Sequence, residues 1–335
     1  MKRLTLLVPL LCLALAACGE KQEIVTPARG SAQSLTLMLD WFPNADHVGV
    51  YQAMADGYFT QAGLDVHVQV PSNPASPLQL LAAGKVDAAI SYEPELLLAR
   101  DRNLPLVSVA AIVQQPLTSI VSLGSKHIRT AAQLRGKRVG DAGIAYQHAY
   151  LETILAHEGV PASTVKETNV GASLVPAMLS GRVDATLGAY WNYEAIQLRR
   201  LGKHPNVIRM NQVGVPNYDE LVLAVRENTL ASHPDEIRRL VQALARGYES
   251  VRSDPAAGVA NLVRENPGLD PKFQSAAVNA TLPAFFPSSP SNPWGYQDPV
   301  QWNTYGQWML SHHLISNPSA VADASTNEEL AGQGL

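Results

Sequence analysis

The densest chemistry in the chain stands at Asp40-Trp41-Phe42-Pro43-Asn44-Ala45-Asp46-His47. The segment follows an alternating apolar run, Leu35, Leu37 and Leu39, that reads as a strand. A strand that stops and hands polar and aromatic side chains to a loop is how an open α/β sheet builds a binding crevice. There Trp41 can stack on a flat ring, Asn44 can donate and accept at its edge, and Asp40 or His47 can orient the assembly. The alternative for Trp41 is a core position, which its Asp, Pro and Asn neighbours argue against. His47 lacks partners at metal-ligand spacing and reads as a structural hydrogen-bonder, so neither a catalytic residue nor a metal ligand is expected.

Two further strand ends carry similar groups. Leu80-Leu81-Ala82-Ala83-Gly84-Lys85-Val86-Asp87-Ala88-Ala89-Ile90 reads as a helix closed by Gly, a tight turn and a short buried strand that delivers Ser91, Tyr92 and Glu93. The order returns at Ala177-Met178-Leu179-Ser180-Gly181-Arg182-Val183-Asp184-Ala185-Thr186-Leu187 and delivers Tyr190, Trp191, Asn192 and Glu194. One recurrence at a spacing of roughly a hundred residues is no solenoid; it predicts two similar α/β lobes facing a shared cleft. Asp87 and Asp184 recur with the turn and read as local turn residues. In the second lobe, the short strand around residues 136–140 leads through Asp141-Ala142-Gly143 into a helix over 146–157. That turn could leave backbone N–H groups free for a ligand oxygen, or Gly143 could serve close packing.

The elements that position these groups follow from the rest of the 335 residues, 46% of them hydrophobic, enough for two lobes with a substantial core. Lys2 and Arg3, an apolar run over residues 4–16, and Leu15-Ala16-Ala17-Cys18 read as a signal segment (1–17) with a bacterial lipobox, Cys18 being the acylated residue. Residues 18–34 read as a tether. Lobe one is expected over 35–122, lobe two over 123–220, a mostly helical return to lobe one over 221–315, and a tail over 316–335. Without the signal segment the chain holds 23 basic and 29 acidic residues, a net charge of −6, with no basic face to bind nucleic acid. Its other Cys, Cys12, lies in the signal segment, so stability must come from packing rather than disulfides.

Asp40 to Gly49, Gly57-Tyr58-Phe59 with Gly63-Leu64, and Ala189-Tyr190-Trp191-Asn192-Tyr193-Glu194 together resemble the NMT1/THI5-like family of periplasmic solute-binding proteins. Within it the likeness is nearest to ABC-transporter components that capture thiamine-pyrimidine precursors such as formylaminopyrimidine or hydroxymethylpyrimidine. The resemblance implies the α/β type II periplasmic-binding-protein fold, with two lobes joined by two hinge crossings and the ligand between them. It also implies a monomer on the extracytoplasmic face of a bacterial membrane, lipid-anchored, delivering its ligand to an ABC permease with its ATPase. The family's eukaryotic relatives are pyrimidine synthases that consume pyridoxal phosphate, with a Cys cluster and an aldehyde-binding Lys. Here Met54 and Asp56 stand in the stretch where that Lys would be sought, so binding without chemistry and without a cofactor is expected.

For an aminopyrimidine the expected site is Trp41, Asn44, His47, Tyr92, Glu93, Gly143, Tyr190, Trp191, Glu194 and Asp219. Trp41, Tyr190 and Trp191 would sandwich the ring, and Glu194 would accept from its amine. Adjacent side chains diverge, which leaves the core as the alternative for one of Tyr190 and Trp191. Glu194 has the alternative of serving the first turn of its own helix. Competing functions are binding of another flat or anionic solute (a riboflavin-like ring, a sulfonate, nitrate) and a pyridoxal-phosphate-dependent synthase. An anion would call for Arg or Lys in the cleft loops, which the named segments lack.

Overall fold

Alternating and continuous apolar runs build most of the ten strands among the described residues, with the polar Lys166–Asn169 at a sheet edge: β1 (Gln33–Met38), β2 (Leu64–Gln69), β3 (Ala88–Ser91), β4 (Leu106–Val113), β5 (Thr118–Ser122), β6 (Arg138–Asp141), β7 (Lys166–Asn169), β8 (Ala185–Tyr190), β9 (Asn206–Arg209) and β10 (Leu221–Arg226). The structure, a computed structural model, describes residues 32–332. The signal segment, Cys18 and most of the expected tether lie outside the described residues.

The strands form two five-stranded sheets with matching orders, β2-β1-β3-β10-β4 and β7-β6-β8-β5-β9. In each, three strands run parallel, and the strand next to a crossing between the lobes, β10 or β5, lies antiparallel beside them. The lobe boundary expected after residue 122 is therefore corrected. β5 pairs with β8 and β9 of the second sheet, which puts the first crossing at residues 114–117. Pro116 lies in that crossing, where a residue without an N–H could not continue the ladder. The second crossing, residues 213–220, returns the chain to β10 in the first sheet.

Asp87 and Asp184 do more than shape their turns. The Asp87 carboxylate accepts from the Thr36 N–H of β1 at 2.8 Å, and Asp184 accepts from the Arg138 N–H of β6 at 3.1 Å. Each ties the recurring turn to the first strand of its sheet. Asp184 also takes Lys126 and the Arg138 guanidinium, which hold its carboxyl far below the usual carboxylate range.

Helical return segments brace the first loop. In the helix Pro234–Ser253, Ile237, Leu240, Val241, Leu244, Tyr248 and Val251 recur at helical spacing and are buried, each stabilising by roughly 1.5–3 kcal/mol. Gly247 and Gly49 let this helix cross Val48–Ala55 closely. A Cβ on Gly247 would stand 2.2 Å from the Gly49 carbonyl oxygen. The crossing brings the Tyr248 hydroxyl to the Asp46 carbonyl at 2.7 Å, so the loop after β1 is clamped from behind. The tail is also part of lobe one. Ser325 bridges to Ser108 of β4, the Arg100 guanidinium donates to the Ala320 and Ala322 carbonyls, and Ala324 and Leu330 are buried.

Candidate functional site

A cleft of about 410 Å³, open mouth included, is lined by Asp40, Trp41, Asn44, Asp46 and Tyr92 from lobe one and by Ala142, Tyr146, Gln147, Leu174, Gly188, Tyr190, Tyr193 and Glu194 from lobe two. Its lining mixes aromatic faces with a few convergent polar groups, the composition of a small-molecule site. Most of these residues sit at or just beyond the carboxyl ends of β1, β3, β6 and β8, where parallel strands leave a crevice between following loops.

In lobe one, Asp40 is the organising group. Its Oδ2 accepts from the Tyr92 hydroxyl and its Oδ1 from His47 Nε2, both at 2.8 Å. His47 is fully buried behind the loop, and its Nδ1 accepts the Asn44 N–H at 3.3 Å. That bond leaves the imidazole proton on Nε2, where it donates to Asp40. Asn44 lines the cleft, yet its side chain caps the short turn Ala45–His47: Oδ1 accepts from the Asp46 N–H at 2.7 Å and Nδ2 donates to the Phe42 carbonyl. Trp41 stays half-buried at the lining beside exposed Phe42, rings 5.4 Å apart.

In lobe two, a bulge aims the ring. Ser119 of β5 pairs with Ala189 and Ile120 with Leu187, so Gly188 has no partner and Tyr190 is turned relative to a regular strand. Gly188 has φ +101°, and a Cβ there would meet the Gln147 amide at 2.2 Å. Glu194 opens the helix Glu194–Arg200, and its Oε2 accepts the Tyr190 N–H at 2.7 Å. Burial pushes the Glu194 carboxyl up to about 7, against the pull of that backbone bond. Burial likewise pushes Asp46 up to about 7; the neighbouring His47 lowers it, while Asp40 and Glu194 raise it. The lobes meet at the cleft floor, where the Tyr92 and Tyr146 rings lie 5.7 Å apart.

Of the expected residues, Trp41, Asn44, Tyr92, Tyr190 and Glu194 come together in the cleft; His47, Glu93, Gly143, Trp191 and Asp219 do not line it. His47 supports Asp40 from behind. Trp191 diverges from Tyr190, donates its indole N–H to the Pro116 carbonyl at 2.9 Å and lies under the Arg209 guanidinium. Gly143 has φ +76°, and its N–H is taken by Asp141 Oδ1 at 2.7 Å, so packing and turn conformation account for it. Glu93 and Asp219 are paired beneath the cleft at the second crossing. Glu93 Oε2 accepts the Asp219 N–H at 2.6 Å, and the Asp219 carboxylate takes the Trp302 indole at 2.8 Å and the Gln301 amide at 3.1 Å. Burial raises both carboxyls, Asp219 to about 7. Next to them, Glu220 staples the crossings, accepting from Leu117, Thr118 and Tyr218.

Sequence reasoning passed over Asp46, Tyr146, Gln147, Leu174, Gly188 and Tyr193 as cleft residues. Gly188 carried a signal, since a Gly inside a strand pattern marks a bulge or close approach. Among the described residues lining the cleft there is no Lys, Arg or His, against the carboxylates of Asp40, Asp46 and Glu194. Such a lining favours a neutral or cationic ligand rich in N–H donors with a flat face, and opposes anions. No group of three or more His, Cys, Asp or Glu side chains among the described residues is arranged to hold a metal ion, and no described helix is long and apolar enough to cross a membrane.

The chain is 33% identical over 296 residues to a formylaminopyrimidine-binding protein of Halalkalibacterium halodurans, covering 87% of this chain and 89% of that one. It is 23% identical over 250 residues to a 4-amino-5-hydroxymethyl-2-methylpyrimidine phosphate synthase of Saccharomyces cerevisiae, covering 72% of this chain and 73% of that one. Among solved structures, an alkanesulfonate-binding protein of Xanthomonas axonopodis pv. citri superposes with a TM-score of 0.67 at 17% identity, over 89% of this chain and 99% of that chain. The likeness shows the type II periplasmic-binding fold. The NMT1/THI5-like family model matches residues 44–258, and the chain belongs to that family.

Proposed function

We propose that this protein is the substrate-binding lipoprotein of an ABC importer and that it captures a thiamine-related pyrimidine precursor of the formylaminopyrimidine or hydroxymethylpyrimidine type. The observation that carries the reading is the cleft lining. Trp41 and Tyr190 approach from opposite lobes, Glu194 and Asp46 offer acceptors for exocyclic amine and ring N–H groups, and the lining holds no cationic side chain among the described residues. Stacking on the two aromatic faces contributes roughly 0.5–1.5 kcal/mol per pair beyond burial. A ligand that touches both lobes favours the closed form, which the permease then recognises. A ligand held by one lobe alone would shift nothing.

The lining weighs against the other readings. A sulfonate or nitrate would face Asp40, Asp46 and Glu194 with no countercharge. A synthase that binds an aldehyde cofactor would need a Lys in the cleft, and none of the described lining residues is one. Native mass spectrometry of the freshly purified protein tests the reading. An adduct with the mass of an aminopyrimidine supports it, whereas an anionic metabolite or a pyridoxal phosphate aldimine overturns it.

A further inference from the structure

The loop that carries Tyr190 and Glu194 belongs to lobe two, yet it is pinned by lobe one. Asn192 is fully buried, and both hydrogens of its Nδ2 reach across: one to Asp46 Oδ1 at 2.8 Å, the other to Thr281 Oγ1 at 2.7 Å. Thr281 ends the helix Pro271–Thr281, which packs against the Ala45–His47 turn of lobe one, and its hydroxyl also lies 3.3 Å from Asp46 Oδ1. The same helix holds the next residue. Gln274 donates to the Tyr193 hydroxyl at 3.1 Å, and the Tyr193 and Phe273 rings meet edge to face at 4.6 Å. Beyond it, Arg200 reaches Asp270 at 3.1 Å on the surface. Asn192 Oδ1 has no protein partner, so the side chain is oriented by its two donated bonds alone.

We propose that Asn192 is a closure latch: a positioning residue whose bonds to Asp46 and Thr281 couple lobe closure to placement of Tyr190, Tyr193 and Glu194 around the ligand. It does not line the cleft. It lies two residues before Glu194 and bonds a carboxylate that does line it, so the latch belongs to the closed arrangement, which the ligand-free protein also samples. Ligand retention, more than ligand entry, depends on it. The inference rests on the pyrimidine-binding reading for the identity of the ligand but not for the latch itself.

Hydrogen exchange of the protein, without ligand and with formylaminopyrimidine, tests it. Asn192→Ala should speed exchange across 190–197 and 271–281 by about tenfold, the loss of a buried hydrogen bond, while protection of the helix over 145–157 stays as in the parent. Formylaminopyrimidine should dissociate about tenfold faster with its association rate little changed. Asn192→Asp, which sets a second carboxylate against Asp46, should loosen the same segments further at pH 8. The double variant Asp46→Asn/Asn192→Asp reverses the donor and acceptor and should restore their protection. Unchanged exchange in 190–197 and 271–281, or a double variant no better than Asn192→Asp, would overturn the latch. Should the parent protein fail to bind formylaminopyrimidine, the ligand assignment falls, and ligand-free exchange still decides on Asn192.

Discussion

Glu93 and Glu194 occupy the same place in the two lobes. Each is the first residue of the helix that follows the third strand of its sheet, and each is buried. Their fates differ. Glu194 faces the cleft while accepting the Tyr190 N–H, whereas Glu93 turns beneath it and binds the second crossing at Asp219. The difference lies in the connection: Tyr92 alone separates β3 from Glu93, whereas Trp191, Asn192 and Tyr193 separate β8 from Glu194. The short connection makes Tyr92 the cleft residue and sends the next side chain to the hinge. The longer one lets the chain place a ring, a latch and a carboxylate in succession. One architectural repeat thus supplies a cleft carboxyl in lobe two and a carboxyl at the crossing in lobe one, which the proposed function reads as grip and hinge.

The comparison can be broken most sharply at the carboxylates. Glu194→Ala should weaken pyrimidine binding by about 100-fold, the value of a charge-assisted hydrogen bond, with thermal stability retained. Glu93→Gln, which mimics the protonated carboxyl that burial favours, should change affinity by less than about threefold. Equal losses from both variants, measured by calorimetry, would mean that the hinge and grip roles are not separate. The aromatic pair sharpens the contrast at smaller scale. Trp41→Ala should cost about 10- to 30-fold in affinity, and Trp191→Phe, which removes the bond to Pro116 and part of the face under Arg209, no more than about threefold.

The smallest effect expected is on stability. Glu194, Asp46 and Asp219 have folded-state values near 7, above their ordinary 4.5, 3.8 and 3.8. A carboxyl raised in this way stabilises the fold fully below its unfolded value and loses that contribution as pH climbs through about 7. The ligand-free protein should therefore melt several degrees lower at pH 8 than at pH 5.5, by roughly 3–6 °C. Glu194→Gln should shrink that difference. A melting temperature that rises over this interval would contradict the placement of these carboxyls in dry surroundings.

Much of the architecture was legible because the chain repeats it. The Gly-basic-Val-Asp-Ala turn at Gly84 and Gly181 announced paired lobes, and the polar loop after β1 announced the crevice. Hidden from the sequence were directions. Nothing in the adjacency of Tyr190 and Trp191 says which ring faces the cleft; the bulge at Gly188 decides it. His47, Glu93 and Asp219 have the right chemistry, but their partners, Asp40 at seven residues' distance, Asp219 and Trp302, are tertiary, and they draw the side chains away from the cleft. The boundary at residue 122 missed because β5, buried along its whole length but carrying three hydroxyl residues around Ile120 and Val121, fits either sheet by pattern, and only its pairing assigns it. Asp46 looked like one more loop carboxylate until Asn192 and Thr281 met it from elsewhere in the chain.

The central claim is that the cleft is built for a flat, amine-bearing heterocycle and against anions. Calorimetric titration of the protein with formylaminopyrimidine and, in parallel, with an alkanesulfonate tests it most directly. The account predicts saturable one-to-one binding of the pyrimidine, abolished or strongly weakened in Glu194→Ala, and no heat from the sulfonate. Tight sulfonate binding, or pyrimidine binding indifferent to Glu194, would contradict it.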